Sequence, residues 1–428
     1  MVKMQAENNK NNIKTLSFGC RLNTLESEKI KKLLNTAGLC GVVVNTCSVT
    51  AEAERQSGQT VRKIARENPN TPIFVTGCGA TRNPELFQKI PNTFVISNHD
   101  KLNINAYINA IGTKDCGNPC QINIEESAQE STLSKQFVQI QNGCNHQCTY
   151  CITRLLRGPA ISFKYEDILA DVRAATNRGY SEIVLTGVDA ASYIQTHNGR
   201  TILISDLCEM LLNDVPEIKR LRLSSVDPAV PAIKNIIEMM KTNPRFMPHL
   251  HLSMQSGSDS ILKSMLRRHN AKTVRDLVKL ADGKISFSWD IICGFPGETD
   301  ELFNETLNLV RELKPIKIHA FPYSIRPGTV AAEMPNQVNK HVSKQRVKII
   351  TDVANENMRT FMNKQIGKTT SVLVESNNIA RTPDDIPVRI AKKTIPERTI
   401  CDVKIIGLDD TECVMRAIPI CFSPTAFH

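Results

Sequence analysis

The segment 143–151 carries three cysteines, Cys144, Cys148 and Cys151, in the spacing CxxxCxxC. Three thiolates on so short a loop can cup one face of a cuboidal iron–sulfur cluster and leave a fourth iron without a protein ligand. Structural zinc normally takes four ligands, and no fourth Cys or His follows at a zinc-like interval. His146 sits inside the loop, too close to its neighbours to complete a tetrahedron. Spacing therefore favours a thiolate-held cluster with one open coordination position over a zinc site or three incidental buried thiols.

A second set is spread along the first hundred residues. Cys20, Cys47 and Cys78 each follow an apolar run, at residues 14–18, 41–44 and 72–76. If these runs are parallel strands, their ends point the same way and the thiols converge at one edge. Open α/β sheets bind ligands at that edge. Buried structural thiols are the simpler account of Cys40, Cys208, Cys293, Cys401, Cys413 and Cys421. Cys116 and Cys120 fall in a polar stretch and read as a casual pair.

The elements that must position these groups divide the chain into parts. At roughly 150 residues per domain, the 428 residues amount to two or three domains. The expected boundaries are 13–111, a linker at 112–134, a core at 135–364 and a terminal module at 365–428. In the first part a fourth apolar run at 93–96 and helices at 24–37 and 52–68 complete a parallel sheet covered by helices. The core repeats the strand–helix unit, with strands at 137–141, 182–186, 220–224, 249–254, 288–293 and 316–321. Six such units fit an open barrel, since closure needs eight; a second doubly wound sheet is the alternative. The last part alternates β-branched runs (369–375, 388–391, 400–406) with turns, the pattern of a small antiparallel barrel. The fold class is thus α/β with an all-β end.

Composition excludes wholesale disorder: 41% of residues are hydrophobic and 22% charged. No apolar run reaches the roughly 18 residues of a membrane span, and the polar, Asn/Lys-rich start is unlike a signal peptide. A cytoplasmic location follows as the expectation, with the 14 cysteines kept as thiols or metal ligands. The net charge of +10 suits a polyanionic partner. The terminal module, with eight basic and eight acidic residues, does not share in it.

The CxxxCxxC loop, with an aromatic before its last cysteine, resembles the cluster loop of the radical S-adenosylmethionine superfamily. Strand ends at 185–189, 253–257 and 290–299 add to that likeness. Two cysteine triads on one chain resemble the methylthiotransferases within it. Further motifs at 18–28, 44–50, 75–78, 223–225, 249–257, 265–269, 294–299 and 321–329 carry the match over nearly the whole chain. The resemblance implies a flavodoxin-like first domain, a partial (βα)6 radical-SAM core and a TRAM-like terminal barrel. It implies two 4Fe–4S clusters: Cys144, Cys148 and Cys151 would hold the one that cleaves S-adenosylmethionine to a 5′-deoxyadenosyl radical. Cys20, Cys47 and Cys78 would hold an auxiliary cluster that carries sulfur. Tyr150, Gly187, Gln255, Gly257 and Arg267 are the candidates for the S-adenosylmethionine pocket. Arg267 would either pair with the cofactor carboxylate or be a solvated helix arginine.

Within the family the stretches 19–27, 45–53, 247–253 and 321–329 look most like the branch acting on threonylcarbamoyladenosine in tRNA. The implied reaction is methylthio insertion at carbon 2 of that base, beside the anticodon. The alternatives are isopentenyladenosine tRNA or a ribosomal-protein aspartate as substrate, or a non-catalytic iron–sulfur RNA-binding protein. An electron donor such as flavodoxin or ferredoxin is implied, and the sulfur donor is left open. Arg154, Arg157, Arg267 and Arg268 are the expected phosphate contacts, with Arg154 and Arg157 also possible readers of the threonylcarbamoyl carboxylate.

Overall fold

The computed structural model describes residues 13–19, 21–48, 51–112, 134–391, 395–409 and 412–420. It comprises two compact units. One holds the residues up to 112 together with Ile152–Gly158, and the other holds residues 134–151 and those from 159 onward.

In the first unit the strands Ile13–Ser17, Gly41–Thr46, Ile73–Thr76 and Thr93–Val95 form one parallel sheet in that order. Helices Arg21–Thr36 and Ala51–Glu67 link successive strands. Gly41–Thr46 is buried from end to end, so its valines run without alternation, as a strand covered on both faces requires. Val42 and Val44 pack with Val61 and Ile64 on one side; Val43 meets Ile30, Leu34 and Tyr107 on the other. The segment 113–133, which contains most of the expected linker, lies outside the described residues.

In the second unit Lys135–Asn142, Glu182–Gly187 and Arg220–Leu223 run parallel, as do His249–Gln255, Ser286–Cys293 and Lys317–Pro322. The two sets meet at Ser224, beyond which the short strand Ser225–Val226 pairs with His249–Gln255. All six expected strands are present and form an open barrel with one break. Val138, Ile183, Leu221, Leu250, Trp289 and Ile318 point into a core shared with the covering helices. A hairpin, Ile194–His197 with Arg200–Leu203, was not anticipated. Its two-residue turn, Asn198-Gly199, has positive φ at both positions. Asn-Gly is the dipeptide that supplies such a turn most readily, so the signal was present in the sequence.

The terminal module closes into a barrel of Thr369–Val374, Ile379–Arg381, Pro387–Ile390, Ile400–Asp409 and Val414–Pro419. Ile379–Arg381 and Val414–Pro419 join the runs expected from the sequence. Pro387–Ile390 and Val414–Pro419 pair in parallel, so the barrel is not purely antiparallel. Its turn at 383–385 seats on the first residues of the core strands. Lys135 Nζ lies 2.5 Å from Asp385 Oδ1, Arg222 donates to the Pro383 carbonyl at 3.0 Å, and Arg220 donates to Ser371 Oγ at 2.9 Å. Glu182, fully buried, neutralises Arg222 at 2.8 Å. Burial pushes the Asp385 carboxyl up, but Lys135 and Arg222 outweigh it and hold the group far below the carboxylate range.

Candidate functional site

Cys144, Cys148 and Cys151 follow the end of the Lys135–Asn142 strand on a loop without helix or strand. The loop is pinned from several directions. The Cys151 amide donates to the Cys148 carbonyl at 3.0 Å, the Thr149 amide to the Met265 carbonyl at 3.2 Å, and Thr149 Oγ1 to the Ser264 carbonyl at 2.9 Å. The Ala331 amide closes the set on the Thr149 carbonyl at 2.9 Å. Tyr150 packs into an apolar cluster with Ile261, Met265, Phe295 and Ala331, and burial raises its hydroxyl well above the ordinary value. It anchors the loop through its ring.

Burial pushes the Cys144 thiol up to about 11, the His146 amide draws it partly back, and Asp189, Cys151 and Cys148 add to the rise. An uncompensated thiolate at Cys144 would therefore be costly, and a cation is the natural compensation. One cation is built in. The Arg267 side chain, 6% exposed, places Nη1 3.4 Å from Cys148 Sγ and donates Nη2 to Asp227 Oδ2 at 3.0 Å and the Ser253 carbonyl at 2.8 Å. Its Nε is buried without a partner. The solvated-helix reading of Arg267 is thereby excluded; the guanidinium is a fixed charge beside the cysteine loop. Asp227, which fixes it, was missed in the sequence because a lone strand-end aspartate carries no motif.

His146 and Asp189 lie with Cys144 in a group whose ligand atoms are within 4.8 Å of one another. The imidazole is already committed: its Nε2 is 2.6 Å from Asp189 Oδ2 and 3.1 Å from Arg268 Nη2. Ser192 Oγ donates to the same carboxylate at 2.5 Å. An arginine against the imidazole disfavours a divalent ion there. Soft sulfur donors with no nitrogen or oxygen ligand to complete a tetrahedron fit an iron–sulfur cluster of thiolate type.

The other expected pocket residues divide in two. Gln255 ends its strand with φ +68, a conformation costly for a side-chain-bearing residue and common at ligand sites. Gly187 and Gly257 are close-packing positions. A Cβ on Gly187 would lie 2.9 Å from the Gln141 carbonyl, and one on Gly257 would lie 2.7 Å from Thr306 Cα. The Gly257 amide also donates to Thr306 Oγ1 at 2.9 Å. These glycines let neighbouring segments approach and so set the strand ends in place.

In the first unit Cys47 follows the Gly41–Thr46 strand, and Cys78 stands in the first turn of the helix Gly77–Arg82, not in a loop. Both are buried. Cys20 lies outside the described residues. Gly19 precedes it with φ +90, and a Cβ there would fall 2.3 Å from Cys47 Sγ. The fold thus brings the Gly19 backbone against Cys47. Asn98 Nδ2 is 3.5 Å from Cys78 Sγ and 3.1 Å from the Leu156 carbonyl.

Arg157 does not face phosphate. It is buried in the first unit, bonded to Glu26 and Asn23. Arg154 is exposed, and the Arg268 side chain is 45% exposed.

Two family models match the chain: "Radical SAM superfamily" over residues 138–310 and "Uncharacterized protein family UPF0004" over residues 12–97. A Rickettsia prowazekii protein named threonylcarbamoyladenosine tRNA methylthiotransferase MtaB is 38% identical over 94% of this chain and 96% of its own. An Anaplasma marginale protein named tRNA-2-methylthio-N(6)-dimethylallyladenosine synthase is 32% identical over 84% of this chain and 83% of its own. Among solved structures, the radical S-adenosylmethionine methyltransferase TsrM from Kitasatospora setae shares the fold. It has a TM-score of 0.52 and 12% identity, covering 73% of this chain and 67% of that one.

Proposed function

The chain belongs to the tRNA methylthiotransferases of the radical-SAM superfamily, and from that premise we propose that it inserts a methylthio group at carbon 2 of threonylcarbamoyladenosine beside the anticodon of tRNA. The observation that carries this reading is the end-to-end match, 38% identical over 94% of the chain, to a protein named for that substrate.

Cys144, Cys148 and Cys151 would hold the cluster at which S-adenosylmethionine is bound, and Cys20, Cys47 and Cys78 the second one. The chemistry supplied there, when both are bound, is one-electron cleavage of the sulfonium and removal of hydrogen from an aromatic C–H that no general base deprotonates at neutral pH. The protein's own part is positional. Arg267, fixed by Asp227, supports the charge of the cysteine loop. Tyr150 and the bonds from Met265 and Ala331 hold that loop on the barrel mouth. Gln255, in its constrained conformation, and Gly187 and Gly257, which set their strand ends, shape the wall expected to meet the cofactor. Buried apolar neighbours of Tyr150 keep water from the loop on that side.

The relatives named for dimethylallyladenosine leave an isopentenyl substrate as the second reading. Purified enzyme offered separate pools of threonylcarbamoyladenosine and isopentenyladenosine tRNA tests the choice by mass spectrometry of nucleosides. Gain of a methylthio group in the first pool alone supports the proposal. Gain only in the second overturns the substrate and leaves the enzyme class.

A further inference from the structure

In the first sheet the strands Ile13–Ser17, Gly41–Thr46 and Ile73–Thr76 are each followed by a cysteine: Cys20, Cys47 and Cys78 in chain order. The last strand, Thr93–Val95, runs parallel to its neighbour and ends on the same edge. No cysteine stands at its end. The residue it brings to Cys78 is Asn98.

Asn98 is held on several sides. Its backbone amide donates to Thr81 Oγ1 at 3.0 Å, on the helix that also carries Cys78. Its Oδ1 accepts from Lys101 Nζ at 3.0 Å, and its Nδ2 donates to the Leu156 carbonyl at 3.1 Å. An ammonium only donates and a carbonyl only accepts, so these two partners leave the side-chain amide one orientation. Lys101 cannot turn away, because its Nζ is buried 2.6 Å from Glu26 Oε2. The amide nitrogen is thereby fixed 3.5 Å from Cys78 Sγ. A neutral thiol is a weak acceptor and gains little from such a donor. A thiolate, the form in which cysteine binds metal, gains a charge-assisted bond. Buried sulfurs at Cys47 and Cys78, with an N–H aimed at one of them, fit an iron–sulfur group.

We propose that Asn98 tunes the auxiliary cluster, donating a hydrogen bond from Nδ2 to the Cys78 sulfur and so raising the cluster's reduction potential. This rests on Cys78 as a ligand of that cluster and adds what sets its electronics. Reduction puts negative charge on the cluster and its ligand sulfurs. A fixed N–H donor stabilises that reduced form more than the oxidised one. Lys101 acts through Asn98: a cation on the amide oxygen polarises the amide and strengthens its N–H as a donor.

The test uses full-length Cys148→Ala protein, reconstituted anaerobically so that it holds the auxiliary cluster, with the midpoint potential read by electron paramagnetic resonance. Adding Asn98→Leu, close in volume but without the donor, should keep the iron. It should shift the one-electron reduction equilibrium toward the oxidised form by about tenfold, or about 59 mV, the size of one hydrogen bond to a charged group. Asn98→Asp keeps the shape and the Lys101 contact, should shift the potential the same way, and replaces the leucine variant if that one loses iron. Thr81→Val removes the backbone tie and leaves the side-chain amide, so its potential should match the parent. An equal shift in Thr81→Val would trace the effect to a loosened loop and overturn the proposal. Cys78→Ala in the same parent tests the ligand assignment by itself. Loss of iron supports that assignment; retained iron overturns it and the proposal with it. An unshifted potential in the Asn98 variants, with Cys78 upheld as a ligand, overturns the proposal alone.

Discussion

Arg157 grips Glu26 by both carboxylate oxygens, at 2.8 and 3.1 Å, and donates to Asn23 Oδ1 at 2.7 Å. Lys101 Nζ completes the cluster 2.6 Å from Glu26 Oε2. Burial pushes the Glu26 carboxyl up, but Lys101 and Arg157 more than offset it, so its value stays below the ordinary one. The cluster ties the short helix Thr153–Arg157 to the first sheet unit, although that helix begins just after the CxxxCxxC loop in sequence.

Arg157→Ala is accordingly expected to act on stability. Removing one member of a buried ion pair costs roughly 3–5 kcal/mol, read by denaturant unfolding. The salt dependence of tRNA binding should not change. A flattened salt slope with unaltered stability would restore Arg157 to the phosphate contacts.

The two cysteine sets should separate by mutation. Reconstituted protein is expected to bind about eight irons per chain, in two clusters of the 4Fe–4S type. Cys148→Ala should abolish reductive cleavage of S-adenosylmethionine and keep roughly half of the iron. Cys47→Ala should keep cleavage and lose methylthio insertion. If both variants lose the same cluster by absorption and electron paramagnetic resonance, the division into two sites is wrong.

Much of this arrangement was legible because it is local. Strands reveal themselves by runs such as Val42–Val44, and a cluster loop by cysteine spacing within nine residues. The ion pairs were not legible, because Arg157 and Glu26, or Arg267 and Asp227, are far apart in sequence and meet only through the register of the fold. The same applies to the turn at 383–385, which reads as an exposed Pro-Asp-Asp turn. Asp384 and Asp385 are in fact half-buried against Ser286, Lys135 and Arg222. Ile379–Arg381 was missed for another reason, being a three-residue strand with too few positions to show a period.

That turn changes how the terminal module can be tested. Deleting the chain from Gln365 would strand Lys135 and Arg222 without Asp385, so a loss of tRNA binding on deletion would not isolate RNA contacts. Asp385→Ala is the sharper experiment. It should destabilise the second unit by roughly 1–3 kcal/mol, the range of a lost charged hydrogen bond, because Glu182 still faces Lys135 and Arg222. An unchanged unfolding midpoint would show that the module is not seated through this turn.

His249 gives the pH dependence. Burial, and next the charge of Arg222, lower its imidazole from 6.5 to about 3. The unfolded chain takes up a proton as pH falls through about 6.5, and the folded chain does not until about 3. Stability from this group is therefore complete above pH 6.5 and declines toward pH 3, by up to about 1.4 kcal/mol per pH unit. His249→Gln should remove that part of the slope between pH 6 and 4. Parallel curves for variant and wild type would show that the imidazole is not held neutral.

Phosphate contacts must come from cations that the fold leaves exposed, and with Arg157 and Arg267 withdrawn the choice narrows. Arg154 and Arg268 remain, and so does a groove of about 1350 Å³ in the first unit. Arg62, Lys63, Arg66 and Lys89 line that groove, with Glu85 the single acidic residue among its walls. Lys63 lies 3.9 Å from Glu67, a weak surface pair that leaves its charge available to a stronger anion. If the tRNA backbone lies here, Arg62→Ala, Arg66→Ala and Lys89→Ala should each weaken binding uniformly across tRNA species. Each should also reduce the slope of log K against log salt by roughly 0.7–0.9. Arg267→Ala should differ in kind, impairing cleavage of S-adenosylmethionine without changing that slope. Titrations at four or five salt concentrations decide it. Unchanged slopes in all three groove variants would move the RNA off this surface, and a slope change in Arg267→Ala would contradict its place behind the cysteine loop.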